Sequence, residues 1–389
     1  MPRPASEFIA ADAPATFRAE PRRLAFVTST PLCVAGGSGT FVGIRELTRS
    51  LMRRGVSVET YAPDFWCPSY TLKRLAFNLR VARRLRAGGH DWVVGFDLDG
   101  FYYGRRPTAP YVASIKGVIA DELRNERGLV RRLLALQARF ERLAVRRASV
   151  VVATSLYSRE RIVEAYGVLP RKVVLVPEPI DLPAWSAVAR EGSEAEPPAV
   201  LSVAHMYPRK NLGLLVRACA RLKEAGVAFQ AWLVGDGPCR ADWERLRNRL
   251  GLQAEVQFLG SVPRRELEER YRRAAVFCLP SRQEGFGIVF LEAMACGKPV
   301  VAARAAAVPE TVTDGEVGVL VDPADADALT GALGALLQDP GRRRTLGEAG
   351  RARAQGYGAD RVAQLFLMRV GAALGEAAGG RDPVQKEAA

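Results

Sequence analysis

Ser281-Arg-Gln-Glu-Gly-Phe-Gly-Ile-Val-Phe-Leu-Glu-Ala-Met-Ala-Cys-Gly-Lys-Pro-Val-Val301 is the stretch on which the architecture of this chain turns. The apolar run Val276–Leu279 before it has the length of a strand and is stopped by Pro280-Ser281. Gly285 and Gly287 bracket Phe286 in a short loop. Ile288 to Cys296 carries no breaker and reads as a helix, with Gly297 just past its end. Lys298-Pro299 turns the chain into a second apolar run, Val300–Ala303. Strand, loop, helix and strand make one βαβ unit, so the two strands are expected to be parallel. The glycine loop then lies at the carboxyl end of a strand and at the positive end of a helix, where free backbone N–H groups receive an anion.

Two carboxylates belong to this unit. Glu284 lies in the loop and Glu292 one helical turn in. A carboxylate at the second position can accept both hydroxyls of a ribose diol, and Glu284 would face whatever is attached beyond the phosphates. The plainer alternative is a capping carboxylate and a surface one. Glu284-x7-Glu292 with Gly-Phe-Gly between, followed by Glu-Ala-Met-Ala-Cys-Gly-Lys-Pro-Val-Val, resembles the donor-nucleotide motif of retaining glycosyltransferases of family four, also called glycosyl transferases group 1. The resemblance implies an α/β chain of GT-B architecture, with two Rossmann-like domains facing each other across a cleft. It also implies transfer of a sugar from a nucleoside diphosphate sugar, with retention and with no metal or other cofactor.

Composition fits two domains. The 389 residues suffice for two cores, and 48% hydrophobic with 25% charged residues describes an ordinary globular chain. The cysteines at 33, 67, 219, 239, 278 and 296 show no C-x-x-C spacing and read as reduced thiols of a cytoplasmic protein. His90 and His205 are the only histidines, which argues against a histidine-ligated metal or a Ser–His–Asp triad. No run approaches the roughly 18 apolar residues of a membrane span. Residues 1–21 and 375–389 read as disordered tails, and the first lacks the apolar region of a signal peptide. The net charge of +14 is uneven: residues 1–182 hold 29 Lys and Arg against 17 Asp and Glu. Such a half suits an anionic partner.

In that half, residues 22–182, the runs Leu24–Thr28, Val56–Tyr61, Trp92–Phe96, Pro110–Ile115, Val150–Ala153 and Lys172–Val176 read as strands. Gly36, Gly37 and Gly39 follow the first run; by resemblance this loop approaches the donor phosphates and leaves room for an acceptor. Leu47, Leu51 and Met52 mark one face of the helix after it. Asp97 and Asp99 follow one strand, and Lys116 with Asp121-Glu122 follows the next, at the carboxyl ends where α/β sheets hold ligands. Lys116 stands where the family usually has a histidine, and Pro177-Glu178-Pro179-Ile180-Asp181 replaces a Pro-Asn-Gly-hydrophobic-Asp run. Lys73–Arg86 places Leu75, Leu79 and Ala82 on one face and Arg80, Arg83 and Arg84 on another. Gly128–Arg147 repeats this, with Leu129, Leu133, Leu136, Phe140 and Leu143 on the apolar face. Both read as core-facing helices with a solvated basic side. That side also suits an anionic membrane surface, at about 1 kcal/mol per nearby Lys or Arg.

Residues 183–198 are rich in Pro, Ala and Glu and read as the linker. A second βα series, residues 199–357, follows with strands at Ala199–Ala204, Phe229–Val234, Glu255–Leu259 and Gly318–Val321 flanking the central unit. Arg209-Lys210 follows the first of these strands; two cations there would neutralise a diphosphate leaving group, and a plain surface pair is the alternative. The family's Gly-Arg before this pair is replaced by Ala204-His205, so His205 or Arg209 stands in for the usual arginine. Gly235 begins Gly-Asp-Gly-Pro, which matches a family turn or is simply a tight turn. By resemblance, the loop through Gly260 and Val262 recognises the nucleobase, and Glu310 matches a recurring position. A helix over 358–374 would cross back to the first domain.

These readings converge on a retaining hexosyltransferase. Arg209, Lys210 and Glu284 are its expected catalytic residues, with Gly285, Phe286, Gly287, Glu292, Gly235, Gly260, Val262 and His205 binding the donor. Its acceptor would be a glycan, a lipid-linked sugar or a small molecule, and its location the cytoplasm or the inner face of the membrane. The alternatives are a sugar-nucleotide epimerase of related architecture and a basic nucleic-acid-binding protein. The latter is disfavoured because the basic helices lack interleaved aromatics.

Overall fold

Strands that read as nearly continuous apolar runs are those of a sheet covered on both faces. Here they assemble into two six-stranded, all-parallel sheets in a computed structural model describing residues 20–31, 39–188 and 193–379. The chain forms two units. One contains the described residues through Glu178 together with the segment from Asp360 onward, and the other contains Pro179–Ala359.

The first unit runs β1 (Arg23–Val27), α1 (Gly39–Arg53), β2 (Ser57–Tyr61), α2 (Tyr70–Ala87), β3 (Trp92–Phe96), β4 (Tyr111–Ile115), α3 (Ile119–Glu122), α4 (Gly128–Arg147), β5 (Val150–Ala153), α5 (Leu156–Tyr166) and β6 (Val173–Leu175). Its strand order is β2-β1-β3-β4-β5-β6. Alternate side chains go to opposite faces. Leu24, Phe26, Val94 and Phe96 meet Ile44, Leu47 and Leu51 of α1, whereas Ala25, Val27 and Val93 meet Phe77, Val81 and Leu85 of α2.

The second unit runs α6 (Leu182–Val188), β7 (Ala199–Val203), α7 (Leu212–Glu224), β8 (Gln230–Val234), α8 (Arg240–Arg249), β9 (Val256–Gly260), α9 (Arg264–Arg273), β10 (Val276–Leu279), α10 (Ile288–Ala295), β11 (Val300–Ala303), α11 (Val308–Thr311), β12 (Gly318–Val321), α12 (Ala326–Gln338) and α13 (Pro340–Ala354). Its order is β12-β11-β10-β7-β8-β9. The last helix, α14 (Ala359–Gly379), places Val362, Ala363, Phe366, Leu367 and Val370 in the core of the first unit.

Several expectations need correction. The segment 183–198 is not all linker: α6 occupies its start, and Trp185 is buried against Tyr271 with ring centroids 4.9 Å apart. The units divide at Glu178–Pro179, and α14 continues through residues 375–379, which the sequence reading gave to a tail. Residues 1–19 and 380–389 lie outside the described residues. Met52 is exposed while Leu47 and Leu51 are buried, because Met52 falls outside the stripe that faces β1. Leu79 likewise points outward, and α2 is held inward by Phe77, Val81 and Leu85. Leu129 and Leu133 are exposed too, on the side of α4 away from Leu134, which packs against the core. Among the described residues, no helix is long and apolar enough to cross a membrane.

Candidate functional site

In the second unit the strand order reverses between β7 and β10. Loops leaving the carboxyl ends of those two strands part in opposite directions, and a crevice forms where they part. Arg209-Lys210 lies in the 3-10 turn Pro208–Lys210 after β7, and Glu284 lies in the loop after β10. The fold brings them together. Lys210 Nζ is 2.5 Å from Glu284 Oε1, and Arg209 Nη1 is 3.8 Å from Glu284 Oε2. Arg209 Nη1 also donates to the Gln283 carbonyl at 3.3 Å. Burial opposes ionisation of Glu284, but the fields of Lys210 and then Arg209 outweigh it and hold the carboxyl below its ordinary range. The result is a half-buried cationic pair with one carboxylate between its members.

The glycine loop is fixed by its backbone. Gly287 opens α10 with a φ of 89°, and a Cβ there would lie 2.5 Å from the Phe290 ring, so only glycine fits. The Glu284 carbonyl accepts from Ala307 N–H at 3.2 Å, and the Phe286 carbonyl accepts from Thr311 Oγ1 at 3.0 Å. Thr311 and Glu310 are held in turn through their carbonyls by Arg353. Glu292, in the second turn of α10, is buried and accepts from the Tyr271 hydroxyl at 3.1 Å. Burial and that carboxylate push the Tyr271 hydroxyl well above its ordinary pKa, so it stays a donor. The helix α10 ends where the sequence places its end, with Gly297 at a φ of 70°.

Phe286 is a packing residue. Its ring is buried, 5.8 Å from that of Tyr357, and its contribution to the loop is its backbone. Gly235, Gly260 and His205 gather at a second place, the ends of β7, β8 and β9. Gly235 has a φ of 120°, and a Cβ there would meet the Ala204 carbonyl at 2.0 Å. Its N–H donates to the Gly260 carbonyl at 2.8 Å, while His205 Nδ1 lies 3.2 Å from the Asp236 carbonyl. Gly260 has a φ of 68° and ends β9; Val262 follows it, half-buried.

Two residues that sequence reasoning missed hold the site together. Asn211 sits at a φ of 56° and donates from Nδ2 to the carbonyls of Pro280, at 3.2 Å, and Pro323, at 2.9 Å. It ties the loops after β7, β10 and β12. An Asn directly after Arg-Lys and before an apolar helix is the signal, since Asn tolerates the left-handed region. Tyr271 is invisible in the same way, because its role depends on α9 lying beside α10.

The first unit has its own polar cluster at the strand carboxyl ends. Asp99 is fully buried and accepts from Ser29 N–H at 2.6 Å, Ser29 Oγ at 2.7 Å and Asn78 Nδ2 at 2.8 Å. Arg74, one of the basic residues of Lys73–Arg86, turns inward and donates to Ser29 Oγ and Gln137 Oε1. Asp97 Oδ1 accepts from the Lys116 N–H at 2.9 Å. Burial raises the Asp97 carboxyl to about 6, with Asp99 and Glu122 adding to the rise and Arg74 opposing it. Lys116 Nζ makes a buried ion pair with Glu178 Oε1 at 2.8 Å. Both departures from the family pattern are thus partners of each other. Gly39 is the first residue of α1, and Gly36 and Gly37 lie outside the described residues.

Comparison with known proteins accords with this geometry. The family Glycosyltransferase Family 4 matches residues 37–183, and the family Glycosyl transferases group 1 matches residues 185–353. A GDP-mannose-dependent alpha-(1-6)-phosphatidylinositol monomannoside mannosyltransferase of Mycolicibacterium smegmatis is 37% identical over 227 residues, covering 54% of this chain and 59% of that protein. The match thus spans under two thirds of that relative's length. An MMP alpha-(1->4)-mannosyltransferase of Mycolicibacterium hassiacum is 34% identical over 294 residues, 72% of this chain and 70% of that one. Among solved structures, sucrose-phosphate synthase from Thermosynechococcus elongatus superposes with a TM-score of 0.76 at 22% identity, over 89% of this chain and 97% of that one. With two parallel-sheet α/β domains of GT-B type and both family matches in register with them, the chain belongs to the family-four glycosyltransferases, the glycosyl transferases group 1.

Proposed function

We propose that this protein transfers a hexosyl group from a nucleoside diphosphate sugar to a hydroxyl acceptor, with retention at the anomeric carbon and no metal requirement. The observation that carries the reading is the meeting of Arg209, Lys210 and Glu284 at the point where the sheet order reverses, beside the N-terminus of α10. In this reading Arg209 and Lys210 hold the diphosphate and stabilise the charge that grows on it as the glycosidic bond breaks. Glu292 accepts the ribose hydroxyls, and Glu284 with the amides of Gly285–Gly287 orients the sugar and the phosphate beside it. The bond from the anomeric carbon to the phosphate oxygen breaks and its electron pair goes to that oxygen. The acceptor oxygen bonds to the same face of the carbon, and its proton passes to the leaving phosphate. No side chain is required as base.

Family membership favours transfer over the epimerase and nucleic-acid readings. The mannosyltransferase relatives make GDP-mannose the first donor to test and lipid-linked or polyol hydroxyls the first acceptors. The basic faces of α2 and α4 support a peripheral, charge-driven contact with an anionic membrane. The test is release of nucleoside diphosphate with and without acceptor, for wild type, Lys210→Ala and Glu292→Ala. Acceptor-dependent release that both substitutions abolish, or that needs far more donor, supports the reading; full activity in both variants overturns it.

A further inference from the structure

The amino edge of the first sheet holds a cavity of about 790 Å³, within the range of roughly 300–1,000 Å³ usual for small-molecule sites. It lies between the end of α4, the start of β5, the 167–172 connection from α5 to β6, and the last turns of α14. β5 begins at Val150 and β6 at Val173, so the cavity stands at the edge opposite Asp97 and Lys116, which follow the carboxyl ends of β3 and β4. Small residues leave it open, among them Ala148, Ser149, Gly167 and Ala377. Three cations line it, Arg146, Arg171 and Lys172, against one acid, the exposed Glu376.

Helix ends account for part of this charge. Lys172 Nζ donates to the Arg146 carbonyl at 2.8 Å, at the end of α4, and Arg146 Nε donates to the Tyr166 carbonyl at 2.9 Å, at the end of α5. Each contact uses one donor of a group that has three or five. Arg171 is exposed, and among the described residues none of the three cations is ion-paired with a carboxylate. Burial lowers the Lys172 ammonium from its ordinary pKa, so an anion beside it would offset a desolvation cost already present. The remaining donors converge as a phosphate requires. Val150, Val168 and Ala373 add apolar wall with few hydrogen-bonding groups, against which a polyhydroxylated body would leave its hydroxyls unpaired and a flat ring would not.

We propose that this cavity binds a small organic phosphate built on a flat ring, the class to which nucleoside monophosphates belong, with the phosphate on Arg146, Arg171 and Lys172 and the ring against Val150, Val168 and Ala373. The site is separate from the crevice of the second unit and does not depend on the transfer reaction proposed above. Its ligand ties the last turns of α14 to the connection between α5 and β6, because both line the cavity.

The test is calorimetric titration of the full chain with adenosine monophosphate, ribose 5-phosphate and inorganic phosphate, joined to hydrogen exchange with and without the first. Adenosine monophosphate should bind wild type and Glu292→Ala alike, and more tightly than the two ring-free phosphates. Arg171→Glu, at an exposed position, should weaken it by about tenfold or more, and Ala373→Leu, which narrows the cavity without changing charge, should do the same. Donor KM should be unchanged in Arg171→Glu, and bound nucleotide should slow exchange in residues 167–172 and 373–379. Absence of binding to wild type overturns the proposal. Binding lost in Glu292→Ala but kept in Arg171→Glu also overturns it, since the nucleotide then occupies the crevice of the second unit. Inorganic phosphate bound as tightly as the nucleotide overturns the ring contact and reduces the cavity to an anion site.

Discussion

Lys210 Nζ and Glu284 Oε1 lie 2.5 Å apart although 74 positions separate the residues. Neither is a solvated surface group, and the charge of Lys210 helps hold the Glu284 carboxyl below its ordinary range. Removing one partner of such a pair strands the other, at a cost on the order of 3 kcal/mol. Lys210→Met should therefore destabilise the second unit, and Glu284→Gln in the same chain should restore much of the loss. The acid limb gives an independent check. A carboxyl held below its ordinary 4.5 contributes stability at neutral pH that is lost as pH falls through its lowered folded value. Glu284→Gln should flatten stability in that acid range, as read by denaturant unfolding at successive pH values.

Asp97 works in the opposite direction. Its carboxyl ordinarily ionises near 3.8, but burial keeps it protonated up to about 6 in the folded chain. The folded state binds more protons between those values, so stability falls as pH rises from 3.8 to about 6 and levels off above. Asp97→Asn keeps an oxygen for the Lys116 N–H and tolerates the φ of 56°. The variant should lose this slope and be more stable than wild type at neutral pH. Urea unfolding across that range checks it, and an unchanged slope would count against Asp97 as its source.

The Lys116–Glu178 pair lends itself to a double-mutant cycle. Both side chains are buried, and Glu178 Oε2 has no hydrogen-bond partner among the described residues. Lys116→Met and Glu178→Leu should each cost about 3–5 kcal/mol, while the double variant should lie near wild type in stability. Additive losses would mean that the two groups do not act as a pair. Thermal melts of the four proteins supply the cycle.

Phe366 tests the return of the chain to the first unit. It is 1% exposed, edge-on to Trp92 with ring centroids 6.4 Å apart, and packs with Leu24, Phe26 and Val94. Phe366→Ala should cost about 3–5 kcal/mol. Hydrogen exchange should localise the loss to β1, β2 and β3 rather than to β7 or β10. Equal deprotection of both sheets would refute that assignment.

The sequence by itself determined the elements and their order. Val276–Leu279 and Val300–Ala303 are strands with the bounds their apolar runs mark, and Gly297 ends α10, because period and turn chemistry are local properties. Alternation of such strands with helices left parallel sheets as the outcome, and the Glu284–Glu292 motif identified the family. Tertiary structure alone decided which side chains meet. Arg74 is one of six basic residues in Lys73–Arg86, yet it is buried against Asp99 because β3 ends beside α2. Lys116 and Glu178 look like separate departures until β4 and β6 carry them together. The apolar stripe of α4 predicts a core face along its whole length, but a stripe is buried only as far as neighbouring elements reach. Leu129 and Leu133 lie outside that reach, on the side away from Leu134, since periodicity specifies a face and only the placement of its partners decides how much of it is covered.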